Sequence, residues 1–158
     1  MIDSGLSEAE AYSRFYLVNR DGLLIEGMSA LQPFQMPFAQ RRDRLSDWKL
    51  ETPAGISFAD VISNAKPTVL IGTSGQPNTF TECIVREMAR HVRQPIIFPL
   101  SNPTDRSEAT PAELDKWTEG RAVIGTGSPF PPLKRNGKAF RIDPVSYTHL
   151  TLPTKRIV

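Results

Sequence analysis

The stretch from Lys66 to Thr104, KPTVLIGTSGQPNTFTECIVREMARHVRQPIIFPLSNPT, restricts the possible fold more than any other part of the chain. Val69-Leu70-Ile71 and Ile96-Ile97-Phe98 are short apolar runs that end in small hydrogen-bonding residues, Gly72-Thr73-Ser74-Gly75 and Ser101-Asn102-Pro103-Thr104. Unbroken apolar strands on either side of a helix predict a parallel sheet buried on both faces, because alternation arises only where one face meets water. In open α/β sheets ligands bind beyond the carboxyl ends of the strands, which makes these two polar loops the place where function is expected.

The intervening segment reads as an amphipathic helix. Thr79 and Glu82 have capping-box spacing. Phe80, Ile84, Val85, Met88 and Val92 share one face, and Gln94-Pro95 ends the run. His91 falls in the last turn, where a partly positive ring suits the helix dipole, so a structural role is favoured over a catalytic one.

The same unit recurs downstream. Thr110-Pro111-Ala112-Glu113 combines an N-cap, proline at the first helical position and a closing glutamate. Leu114 and Trp117 give that helix its buried face and Gly120 ends it. Ala122-Val123-Ile124 is a third apolar strand, ending at Gly125-Thr126-Gly127-Ser128, a loop open to either a turn role or ligand contact. Asp105 and Glu108 follow Pro103 in a loop expected to face solvent. There they would serve a helix dipole or the surface.

Upstream, Ser7 and Glu10 are spaced as another capping box. Phe15-Tyr16-Leu17-Val18 predicts a strand ending at the turn cluster Asn19-Arg20-Asp21-Gly22. Leu23-Leu24-Ile25 suggests a short hairpin arm, and Gln32–Phe38, with two prolines, a loop whose aromatics pack down. Phe58, Val61, Ile62 and Ala65 recur at helical spacing, ahead of the Lys66-Pro67 break.

At 158 residues the chain suffices for about one domain. Its 23% charged residues and net charge of +2 give no basis for a nucleic-acid partner. The cluster Arg41-Arg42-Asp43-Arg44 reads as a solvated face. One cysteine, Cys83, excludes an internal disulfide, and no Cys/His spacing suits a metal. No apolar run reaches membrane-spanning length and no signal peptide is evident, so a cytoplasmic protein without a membrane partner is expected.

Four motifs in order, IGTSGQPNTFTECIVREMA, PIIFPLSNPT, EATPAEL and GRAVIGTGSPFPP, make Met1 to Asp143 resemble the nicotinamide-binding domain of malic enzymes. The resemblance implies a partial doubly wound (Rossmann-like) α/β domain lacking its first strand and glycine-rich loop. It also implies a fragment of an oligomeric enzyme that oxidises malate with NAD or NADP and a divalent Mg or Mn ion, then decarboxylates the product to pyruvate. In that family a lysine is the base, a tyrosine the acid, and a Glu-Asp pair with another Asp holds the metal. All would precede Met1, which leaves the isolated chain inactive and without catalytic or metal-binding residues of its own.

The cofactor wall remains. By resemblance, Gly72, Thr73, Ser74 and Gly75 line the dinucleotide, and Asn102 contacts both cofactor and malate. A plain Asn-Pro turn is the competing reading of Asn102. Asn19 occupies the position of the usual ribose-binding Asp. It does not repel a 2′-phosphate, and Arg20 beside it could attract one, although a simple turn would also account for both. Gln35 matches a position where lysine favours NADP, and its neutrality favours NAD. From Pro144 onward, PVSYTHLTLPT resembles translated sequencing-adapter DNA, so residues 144–158 are expected to be a non-native tail in which Tyr147 and His149 have no role. A dinucleotide domain of another dehydrogenase, or a non-catalytic binding module, would share these strand and loop patterns.

Overall fold

A computed structural model of the protein describes residues 5–29, 31–51, 55–135, 137–142 and 144. The tail expected from Pro144 onward lies outside the described residues except for Pro144 itself, as does the start of the chain before Gly5. The chain divides into two compact units, Met1–Ala65 and Lys66–Val158.

The first unit begins with α1 (Glu8–Tyr12), closed at its N-terminus by the expected Ser7–Glu10 capping box. Strands β1 (Val18–Asn19) and β2 (Gly22–Leu23) pair antiparallel, Val18 opposite Leu23. The expected strand over Phe15–Val18 is therefore shifted and short. The turn expected after it does form: Asn19 Oδ1 accepts the Asp21 N–H at 2.8 Å and Gly22 adopts φ +108°. Of the aromatics in the proline loop, Phe38 packs edge-on against Tyr12 and Phe15, whereas Phe34 stays 71% exposed, contrary to the expectation that all pack down. Helix α2 (Phe58–Ala65) forms where the spacing placed it. Buried Asp60 accepts the Ser57 N–H and hydroxyl at its start. Leu23, Leu45, Ile56 and Val61 form the core, with Tyr16, Val18 and Trp48 packed against it.

The second unit is the α/β part. Strands β3 (Val69–Gly72), β4 (Ile96–Pro99) and β5 (Val123–Ile124) form a parallel sheet in the order β3-β4-β5. Helix α3 (Glu82–His91) links β3 to β4 and α4 (Pro111–Trp117) links β4 to β5. A hairpin of β6 (Leu133–Arg135) and β7 (Lys138–Phe140) follows. The α4 capping box is present in full. At α3 the cap is Thr81, not Thr79: the Thr81 side chain accepts the Ile84 N–H, while the Thr79 hydroxyl donates to the Gln76 carbonyl at 2.6 Å. Arg121 closes the other end of α3 by donating to the carbonyls of Ala89, Val92 and Arg93. Ala89 is a last-turn acceptor of the kind a helix leaves unpaired, Val92 is the C-cap, and Arg93 lies just beyond the helix.

The expectation of a sheet buried on both faces fails. The sheet is covered on a single face. Leu70 and Ile97, in register, are buried, but Val69 is 43% and Ile71 56% exposed, and Val123, across Ile96 from Val69, is exposed too. Both crossovers step along the sheet in the same direction, so with the usual right-handedness both helices lie on the same side. The apolar runs hid this, because either arrangement needs the same residues.

Candidate functional site

The carboxyl ends of the three strands carry the polar loops, and a buried carboxylate joins two of them. Glu108 is fully buried (0% exposed), where a solvent-facing side chain was expected. Its Oε1 accepts the Ser74 N–H and the Ser74 hydroxyl, each at 2.8 Å. The Ser101 hydroxyl also donates to Oε1, and the Ser101 N–H donates to Oε2 at 3.3 Å. The Glu108 carbonyl takes the Phe80 N–H as well. Asp105, by contrast, is exposed as expected.

Burial alone would raise the Glu108 carboxyl above its ordinary value. The hydrogen bonds from Ser101 and Ser74 outweigh that effect and hold it below. The result is an ionised buried group whose charge is spread over donors from two loops. Ser101 extends the bracing: its Oγ accepts the Gly75 N–H at 2.8 Å. The tip after β3 and the tip after β4 are thereby held side by side.

Gly72 is small because of this arrangement. A Cβ there would come within 2.7 Å of Glu108 and Phe80 atoms, so its space is filled from inside. Gly75 differs: at φ +64° a Cβ placed there would meet nothing within 4 Å, and Thr73 and Ser74 beside it are exposed. The third loop is pressed against β4. Gly127 N–H donates to the Pro99 carbonyl at 3.1 Å, and a Cβ on Gly127 would lie 1.9 Å from the Leu100 carbonyl oxygen. Next to it, buried Ser128 donates its hydroxyl to Asn102 Oδ1 at 3.0 Å. Asn102 itself is exposed.

Among the expected site residues, Gly72, Thr73, Ser74, Gly75 and Asn102 thus share one edge of the parallel sheet. Asn19 and Arg20 belong to the first unit, where they line a shallow cleft of about 250 Å³ with Asp21, Gly22, Gly55, Ile56 and Ser57. Gln35 is not among those lining residues. Its Oε1 accepts the Gln32 N–H at 3.0 Å, at the start of a short 3-10 turn (Met36–Phe38). Sequence reasoning missed Glu108, Ser101 and Ser128 as organisers of the site. No local spacing could have revealed them, because each also bonds a residue of another loop: Glu108 to Ser74, Ser101 to Gly75 and Ser128 to Asn102.

The architecture defines a partial α/β domain, with its polar loops gathered at the carboxyl edge of a parallel sheet. Residues 1–146 match the family described as "Malic enzyme, NAD binding domain", and the chain belongs to that family. It is 49% identical over 142 residues to the NAD-dependent malic enzyme of Aliivibrio fischeri (strain ATCC 700601 / ES114) and 50% over 143 residues to NAD-dependent malic enzyme 3 of Bacillus subtilis (strain 168). It is 51% identical over 142 residues to the NAD-dependent malic enzyme of Sodalis glossinidius (strain morsitans). Each match covers 90% of this chain and 25% of the relative, so the chain spans about a quarter of their length.

Proposed function

We propose that this chain supplies one wall of the nicotinamide-dinucleotide site of a malic enzyme that uses NAD. The observation that carries the reading is the pairing of the Ser74-Gly75 tip with the Asn102 loop by Glu108 and Ser101, which sets exposed polar residues from two strand ends beside each other. Three features suit a dinucleotide. The open space at Gly75 admits close approach of a bulky ligand. Thr73 and Ser74 offer polar contacts, and the Asn102 amide can bond a carboxamide, a ribose hydroxyl or the malate carboxylate. Asn19 and Arg20 would meet the adenosine side, and the neutral Gln35 favours NAD over NADP. The names of the relatives agree with that choice.

When bound, NAD accepts hydride from the substrate. This chain's residues bind and orient it. Among the described residues no three His, Cys, Asp or Glu side chains come together, so they do not suit a divalent Mg or Mn ion and no step is assigned to one here. The remaining groups for malate oxidation and decarboxylation would come from the rest of a longer, oligomeric, cytoplasmic enzyme. Residues 144–158 are proposed to lie outside the domain, although the family match runs to residue 146, three residues into that stretch.

Calorimetric titration of the 158-residue chain with NAD tests the reading, with Asn102→Ala as the comparison. Saturable binding weakened by the substitution is expected. Absence of binding by a folded chain would refute it.

A further inference from the structure

We infer that Ser128 is a positioning residue for Asn102, and that it fixes which end of the Asn102 amide faces the ligand. An asparagine side chain carries an acceptor at one end and two donors at the other, and the two orientations are nearly isosteric. On an exposed loop it would sample both. Here the Ser128 hydroxyl donates to Asn102 Oδ1 at 3.0 Å, which engages the acceptor end and leaves Nδ2, with its two hydrogens, as the end available to a ligand. No hydrogen bond from Nδ2 is present among the described residues.

Ser128 can impose this orientation because it does not move freely itself. It is 1% exposed, and its carbonyl accepts the hydroxyl of fully buried Thr126 at 2.7 Å. Between them Gly127 is pressed against Leu100 so closely that no side chain could be accommodated. On the other side, the residue before Asn102 is held by the buried Glu108 carboxylate. Asn102 is thus steadied through its backbone neighbour by Glu108 of its own loop and through its side chain by Ser128 of the loop after β5. Its amide is presented as a donor to an acceptor such as a carboxamide oxygen, a ribose oxygen or a carboxylate.

This inference rests on the dinucleotide reading above, so its test has one arm that needs no ligand. In the first, the side-chain amide order of Asn102 is measured by nitrogen-15 relaxation in the free 158-residue chain, wild type against Ser128→Ala. Restricted motion in the wild type and a clear gain in mobility in the variant are expected. Equal order in both overturns the positioning role. In the second arm, NAD affinity is measured for wild type, Asn102→Ala, Ser128→Ala and the double variant, with thermal unfolding confirming that each is folded. Each single variant should bind roughly threefold to tenfold more weakly. The double variant should bind no worse than Asn102→Ala alone, since Ser128 acts only through that amide. Wild-type chain that fails to bind NAD, or Asn102→Ala that binds normally, overturns the dinucleotide reading together with this one. Weakening by Asn102→Ala combined with normal binding by Ser128→Ala, or with fully additive losses, overturns the role of Ser128 alone.

Discussion

Glu108 and Ser74 are 34 positions apart, yet Oε1 of the former takes both the backbone N–H and the hydroxyl of the latter at 2.8 Å. With Ser101 donating its N–H and hydroxyl to the same carboxylate, one buried anion closes two loops over the end of the sheet. Replacing it with glutamine tests how much this matters. A glutamine has one carbonyl oxygen, and its amide hydrogens would face fixed N–H donors. Glu108→Gln should therefore leave buried donors unsatisfied and cost about 3 kcal/mol in urea unfolding. A loss below about 1 kcal/mol would show that the loops hold together without the carboxylate.

The same group sets a pH dependence, and its sign follows from the direction of the shift. Desolvation opposes ionisation of Glu108, but the hydrogen bonds from Ser101 and Ser74 outweigh it and hold the folded carboxyl below its ordinary value of 4.5. A group lowered on folding contributes stability that is complete above its unfolded value. That contribution disappears as pH falls through the folded one. Between about pH 5 and pH 3, wild type should lose stability more steeply than Glu108→Gln, which has no proton to take up there. Asp60 in the first unit is also lowered and adds a slope common to both proteins. Parallel unfolding curves for the two proteins over that range would mean that Glu108 is not ionised in the fold.

Local features were legible in the sequence wherever a residue's partner lies within one turn of it. The Ser7–Glu10 and Thr110–Glu113 boxes, the three parallel strands and the span of α2 all follow from spacing or apolar runs. The α3 cap was misplaced by two residues because Thr79 and Thr81 both precede the helix, and only the competing bond to the Gln76 carbonyl decides between them. The β6–β7 hairpin escaped notice although Asn136-Gly137 is a strong turn dipeptide, since the flanking strands carry charged residues in place of alternating apolar ones. At the site, the loops were legible as small polar tips. Their brace was not, because a glutamate in Ser-Glu-Ala-Thr looks like any surface acid until the fold places Ser74 beside it.

The bare sheet face yields a further expectation. Val69 and Ile71 are exposed on β3, and Val69 lines up through half-buried Ile96 of β4 with exposed Val123 on β5. Contiguous exposed apolar surface binds hydrophobic dyes and promotes association. Threonine keeps the branched shape that strands favour while removing much of the apolar area. The double variant Val69→Thr/Ile71→Thr should therefore unfold within about 0.5 kcal/mol of wild type, as surface changes do. It should also bind distinctly less of the dye anilinonaphthalene sulfonate. A loss above about 1.5 kcal/mol would indicate that this face is packed in solution.

Turnover is the last property that the site geometry constrains. Removing the hydroxyl proton of a 2-hydroxy acid requires a base whose affinity for protons matches the working pH. The carboxylate enclosed at the sheet edge, Glu108, does not qualify. It is held below its ordinary value, it has no exposed surface, and its oxygens are already engaged by Ser74 and Ser101. Ser74, Ser101 and Ser128 are hydroxyls committed to hydrogen bonds, with no histidine partner in those bonds to activate them. The 158-residue chain supplied with malate, NAD and Mg2+ or Mn2+ should therefore produce no reduced nicotinamide above a protein-free blank, even under conditions where it binds NAD. Malate-dependent reduction that survives extensive purification and disappears in Asn102→Ala would show that these loops carry chemistry as well as binding.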